Sequence, residues 1–229
     1  MRPSIHMDEI RRVSTRRVVN ASRADRANTD PLSQSMQLMG AMMTYPRDTE
    51  IFGEKEPADY LYKVVSGSVR TYRILSDGRR QVGGFYLPGD IFGLESADEH
   101  TLSADALSDA KVLVVKRSTL SALAGRDRSV AQQLFALTGR ELHRVQDRIL
   151  LLIKNARERV ASFLLEMAER ASENNTIELP MSRQDIADYL GLTIETVCRT
   201  LSALETASAI EVSASSLRIV LRDRAALAA

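Results

Sequence analysis

The segment that most restricts the fold is MSRQDIADYLGLTIETVCRTLSALE, residues 181–205. Ser182 followed three residues later by Asp185 has the spacing of a capping box. The hydroxyl accepts an orphan amide at a helix start, and the acidic side chain accepts the amide of the cap itself. The pattern predicts a first helix from Arg183 to Leu190. Gly191 then supplies a left-handed residue at little steric cost and ends that helix. Thr193 is a natural N-cap for a second helix, Ile194 to about Thr206. Ile186, Ala187, Leu190, Leu192, Val197 and Leu201 fall where the two helices must meet, and Ala187 sits at the crossing with little room for a larger side chain. Two short helices joined this way are a helix-turn-helix, whose second helix enters the DNA major groove. Beyond it, AIEVSASSLRIVL reads as two β-like runs around a Ser-rich turn, a winged hairpin.

On the second helix the outward face near the N-terminus holds Glu195, Cys198 and Arg199. Glu195 and Arg199 are four apart and so neighbour each other. Arg can donate two hydrogen bonds to guanine O6 and N7, and Glu can accept from cytosine N4. Thr193, Thr196 and Arg183 are placed for phosphate or nearby base edges, and Ser182 and Gln184 open the first helix beside them. The set expected to touch DNA is therefore Ser182, Arg183, Gln184, Thr193, Glu195, Thr196, Cys198 and Arg199. Cys198 also lies near a helix N-terminus and beside a guanidinium, both of which lower a thiol pKa, so it is a candidate redox site. Against this stand two plainer readings: a surface ion pair for Glu195 and Arg199, and a small-residue replacement for Cys198.

Upstream, residues 34–43 suggest a short helix with Met36, Met39 and Met43 on one side. From about Tyr45 the texture changes to short β-like runs with Gly and Pro at the corners. DYLYKVVSGSVRTYRIL, QVGGFYLPGDIFGLE and KVLVVKRSTL carry them, with Asp77-Gly78 as a hairpin signal. This stretch predicts a small β-roll. Two short helices are expected around Lys116–Ala124, then a long one from about Ser129 to Lys154. Its apolar positions Phe135, Leu142, Val145, Ile149 and Leu152 follow a heptad seam, with Thr138 in the gap, flanked by Arg140, Glu141, Arg144, Asp147 and Arg148. We expect this seam to be a homodimer interface. The alternative is an ordinary amphipathic helix on its own domain. Residues 156–170 form another amphipathic helix, and TIELP a short strand.

The expected architecture is α+β. An arm and short helix (1–40) precede a β-roll (41–125), a dimerisation helix (126–155) and a winged helix-turn-helix domain (156–229). Hydrophobic residues make up 44% of the 229, enough for packed cores. The formal net charge of +1 excludes a uniformly basic nucleic-acid coat. It is, however, a sum of unlike parts: +4 over 1–28, −3 over 29–125, +3 over 126–155 and −3 over 156–229. The winged-helix segment thus lacks a bulk positive field, and DNA binding must rest on placed residues. The N-terminal arm reads as a mobile tail, a basic arm or a transit peptide. One cysteine excludes an internal disulfide framework, and three scattered histidines make a His-built metal centre improbable. No apolar run approaches the roughly 20 residues that span a bilayer, so a cytoplasmic protein without metal or cofactor is expected.

Taken together, RILSDGRRQV, LPGDIFGLE, the long helix and LPMSRQDIADYLGLTIETVCRTLSALE make the chain resemble the Crp/Fnr superfamily of bacterial transcription regulators, FixK type, over roughly residues 45–222. The resemblance implies a cyclic-nucleotide-binding-like jelly roll, a dimerising helix, and a homodimer that activates transcription with RNA polymerase from a TTGA…TCAA dyad. The Fnr-type reading pattern is Glu-x-x-Ser-Arg. Glu195 and Arg199 match it, Cys198 stands where Ser is expected, and Ile194 replaces the Arg of the cAMP-responsive branch. Where the family's nucleotide pocket has Gly-Glu-Leu and an Arg-Ser or Arg-Thr pair, this chain has Gly93-Leu94-Glu95 and His100-Thr101. Without that Arg a phosphate lacks its bidentate partner. The N-terminus also lacks the cysteine cluster of the oxygen-sensing branch. The implied protein carries neither sensor and serves microaerobic or nitrogen-fixation genes. A ligand-gated regulator with an unidentified effector is the alternative, although Tyr60, Tyr62, Arg70 and Tyr72 spell no known pocket. A cupin-like metalloenzyme is disfavoured, since only His100 lies in the β-rich region.

Overall fold

The structure, a computed structural model, describes residues 30–151, 153–171, 175–213 and 218–228. Helix α1 (Pro31–Met39) is capped by Asp30, which accepts the Ser33 amide, and starts with Pro where the missing N–H costs nothing. Eight strands follow: β1 (Ala41–Tyr45), β2 (Glu50–Phe52), β3 (Tyr60–Ser66), β4 (Val69–Ile74), β5 (Arg80–Tyr86), β6 (Ile91–Phe92), β7 (Ser103–Ala106) and β8 (Ala110–Lys116). They form two antiparallel four-stranded sheets, ordered β1-β8-β3-β6 and β2-β7-β4-β5. Between the sheets lie Phe52, Tyr62, Val64, Val69, Phe92, Ala104, Ala106, Ala110 and Val112.

Helices α2 (Arg117–Ala124) and α3 (Arg128–Leu151) come next. Val130 and Leu137 bury one face of α3 in a cluster with Met36 and Leu120. Helix α4 (Ala156–Ala171), strand β9 (Thr176–Glu178), α5 (Arg183–Leu190), α6 (Ile194–Thr206), β10 (Ile210–Val212), β11 (Arg218–Leu221) and α7 (Arg224–Ala228) complete the chain. The third sheet is ordered β10-β11-β9, antiparallel throughout.

The α+β architecture is as the sequence implied, with three local differences. The Met-bearing helix ends at Met39, and Met42 and Met43 lie instead on β1, 52% and 46% exposed, while only Met36 is buried. A Cβ on Gly40 would come within 2.8 Å of Leu113 and Val115, so the chain hugs β8 there and leaves the helix. Second, one helix, not two, occupies Arg117–Ala124. Third, α3 stops at Leu151, three residues short of Lys154.

Candidate nucleic-acid interface

The helix-turn-helix is built by local chemistry. Ser182 Oγ accepts from the Asp185 amide at 3.1 Å, and Asp185 Oδ2 accepts from the Ser182 amide at 2.9 Å. A cap of this kind contributes about 1 kcal/mol. Gly191 closes α5 at φ 65°, ψ 39°. Thr193 Oγ1 accepts from the Thr196 amide at 3.2 Å and starts α6. Ile186, Ala187, Leu190, Val197 and Leu201 are all buried and belong to one cluster, with Leu192 packed against it. That cluster runs on into α4 and the three-stranded sheet through Phe163, Leu164, Ile177, Ile210 and Ile219.

This packing fixes which face of α6 points out. Val197, Leu201 and Leu204 are its buried stripe, and Glu195, Cys198 and Arg199 are exposed on the other side. Thr193 is exposed and Thr196 partly so, with their hydroxyls 3.0 Å apart. Ser182 and Gln184 are exposed at the start of α5; Gln184 donates to Asp188 at 2.6 Å. Arg183 is partly buried, and that burial pulls its pKa down. Cys198 exerts a smaller pull on Arg183 in the opposite direction, so the two side chains lie near each other across the helices. Backbone and Thr193 hydroxyl hydrogen bonds hold the Glu195 carboxyl below its ordinary range, with a smaller contribution from Arg199. Of the eight residues singled out from sequence, Ser182, Gln184, Thr193, Glu195, Cys198 and Arg199 are exposed, and Arg183 and Thr196 are half-buried.

The long helix presents a second feature. Phe135, Leu142, Val145 and Ile149 are between 55% and 82% exposed along one side. Leu152 lies outside the described residues. The charged flank behaves differently from a seam border. Arg144 reaches Asp90 and Glu141, and Arg148 turns inward to donate to the carbonyls of Val82, Gly83 and Tyr189.

Inside the β-roll, at the two positions that the resemblance sets against the family's Arg-Ser or Arg-Thr pair, His100 is 1% exposed and Thr101 binds Glu95. The His100 ring stacks on Phe52 with centroids 3.6 Å apart. Tyr62 and Phe92 pack beside them, and burial pushes the Tyr62 hydroxyl up to about 12. Tyr62 thus belongs to a closed aromatic core. Arg70, the other charged residue considered for a pocket, bonds Asp105 and Asp185.

Comparison with known proteins agrees with this geometry. A family model described as a Crp-like helix-turn-helix domain matches residues 158–229, and one described as a cyclic nucleotide-binding domain matches residues 42–127. The nitrogen fixation regulation protein FixK of Azorhizobium caulinodans is 48% identical over 201 residues, covering 85% of this chain and 81% of that protein. The chain belongs to the Crp/Fnr family, as a FixK-like member. FixK of Rhizobium meliloti is 42% identical over 73% of this chain and 76% of its own length. The solved structure of FixK2 from Bradyrhizobium japonicum superposes with a TM-score of 0.79 at 53% identity, covering 82% of this chain and 96% of that one. Like its Crp/Fnr relatives the protein is a transcription regulator and not an enzyme. Among the described residues no helix is long and apolar enough to cross a membrane.

Sequence reasoning missed one set of residues that hold the helix-turn-helix in place. Arg70, Arg80, Gln81 and Arg148 tie the helix-turn-helix to the β-roll through Asp185, Asp188 and Tyr189. Their partners are between 41 and 115 positions away in sequence, so no local spacing announces them.

Proposed function

We propose that the protein is a cytoplasmic activator that binds a TTGA…TCAA-type palindrome as a homodimer and recruits RNA polymerase, in control of microaerobic or nitrogen-fixation genes. The observation that carries the reading is the intact helix-turn-helix frame with Glu195 and Arg199 exposed on α6. Arg199 reads guanine and Glu195 accepts from cytosine. Thr193, Thr196, Ser182, Arg183 and Gln184 hold phosphates or flanking edges, and Cys198 lies between the reading residues. The exposed stripe Phe135, Leu142, Val145 and Ile149, continued by Leu152, forms the dimer seam. The seam pairs two reading heads, so an arm, β-roll, seam helix and winged helix divide the chain at residues 41, 126 and 156.

The regulator acts without cyclic nucleotide, iron–sulfur cluster or other cofactor. The stack of His100 on Phe52 supports this, because it puts a buried ring where the resemblance expects the Arg that would hold the phosphate. The names of the FixK relatives support the nitrogen-fixation context. The test is fluorescence anisotropy of the purified, ligand-free protein against a TTGA…TCAA duplex and a scrambled one, followed by transcription with purified RNA polymerase. Preference for the dyad and more transcript support the reading. Equal binding to both duplexes, or a need for an added small molecule, contradicts it.

A further inference from the structure

The reading head is tied to the β-roll by desolvated ion pairs, which join α5 to β4 and β5. Arg80 on β5 donates to Asp185 Oδ1 at 2.6 Å and to Asp188 Oδ2 at 2.8 Å, both on α5. Arg70 on β4 bridges Asp105 at 2.7 Å and the same Asp185 oxygen at 2.5 Å. Gln81 donates to the Asp188 carbonyl at 2.6 Å. Arg148 from α3 joins the carbonyls of Val82 and Gly83 to that of Tyr189, its guanidinium 4.6 Å from the Tyr189 ring centre. Arg170 from α4 reaches the Phe85 carbonyl and Asp90. Beneath these bonds Val82, Phe85 and Leu107 of the β-roll share one buried cluster with Phe163 and Leu190 of the winged helix.

Without this contact the head would hang from the few residues between Leu151 of α3 and Ala156 of α4. A single link permits rotation. A network of guanidinium–carboxylate pairs does not, because each pair is satisfied in one geometry and leaves a buried charge when broken. Asp185 makes the coupling tight, since one carboxylate both caps α5 and receives Arg70 and Arg80. Burial alone would raise its pKa. The Ser182 hydroxyl and amide, with Arg70 and Arg80, outweigh that and hold it low and ionised.

In a dimer, the orientation of each head on its β-roll sets the distance and angle between the two recognition helices. One base pair of extra spacing displaces a half-site by about 3.4 Å and rotates it by about 34°. We propose that Arg70, Arg80 and Gln81, acting on Asp185 and Asp188, are positioning residues that fix the half-site spacing the protein accepts. The β-roll serves as a rigid gauge for the reading heads. This rests on the reading of the protein as a dimer on a palindrome.

The test uses the full-length protein and its Arg80→Ala/Gln81→Ala variant, which alters β5 and leaves every helix-turn-helix residue intact. Affinity is measured for the preferred palindrome, for palindromes one base pair longer and shorter, and for a single half-site. The parent should prefer its own spacing by about tenfold or more. The variant should bind all three palindromes within about threefold of one another, with half-site affinity unchanged, and Arg80→Lys should restore most of the preference. If circular dichroism shows the double variant unfolded, Arg80→Gln carries the same comparison. A folded variant that keeps the parent's spacing preference overturns the proposal. So does one whose half-site affinity falls as much as its palindrome affinity, which would make Arg80 a direct DNA contact or a purely structural residue. A parent indifferent to spacing would instead refute the palindromic-dimer reading itself.

Discussion

His100 lies face to face with Phe52, ring centroids 3.6 Å apart and planes 10° from parallel. Neither imidazole nitrogen has a hydrogen-bond partner, and the nearest carboxylate oxygen, Glu95 Oε1, is 3.7 Å from Nδ1. Burial therefore lowers the His100 pKa below its ordinary 6.5, against the smaller upward pull of Glu95. A histidine with a depressed folded pKa contributes stability that is present above the unfolded value and lost as pH falls below it. The parent should lose melting temperature below about pH 6.5 more steeply than His100→Leu, and cyclic AMP should leave both melting curves and DNA affinity unchanged. Parallel pH profiles, or a nucleotide-induced shift, would count against the closed pocket.

Arg199 stands exposed one turn after Glu195 on α6, with the buried stripe behind it. Arg199→Ala should cost about 1–3 kcal/mol per half-site and relax selection at one guanine, while nonspecific affinity changes little. Competitive binding to single-base operator variants reads this directly. A variant that selects bases as the parent does would remove Arg199 from the base-reading set.

The α3 stripe is too apolar to be left in water by chance. Burying an aliphatic side chain of this size contributes about 1.5–3 kcal/mol, twice over in a symmetric pair. Ile149→Glu should therefore weaken dimerisation by about 3 kcal/mol or more per dimer and lower operator affinity with it. Sedimentation equilibrium and anisotropy on the same samples make the comparison. A monomeric variant with full palindrome affinity would contradict the seam.

Cys198 is exposed beside Arg199 on α6. Alkylation adds bulk there, and oxidation by mild peroxide adds charge opposite phosphates. Either treatment should abolish specific binding of the parent and spare Cys198→Ser. Equal loss in both proteins would place the sensitive group elsewhere.

How legible these features were depends on how local their causes are. The helix-turn-helix could be read because Ser182, Asp185, Gly191 and Thr193 act on backbone within three or four residues of themselves. The Met36–Met43 stretch misled because Ala41-Met42-Met43 has no β-branched residue, yet pairing with Val112–Val114 draws it into a sheet. The His100–Phe52 stack was half legible. His100 at the expected Arg position could be seen, but Phe52, 48 positions earlier, gave no sign of stacking on it. The charged residues of α3 were read as flanks of a seam. Arg148 instead serves the β-roll and α5, which only the fold brings within reach.

We propose that a few placed residues, presented twice, read a dyad without an effector. Selection of bound duplexes from a random DNA library by the pure, ligand-free protein puts that claim to trial. Enrichment of a single palindrome with TTGA and TCAA half-sites at one spacing is expected. Recovery of no common sequence, or of an unpaired half-site only, would contradict it.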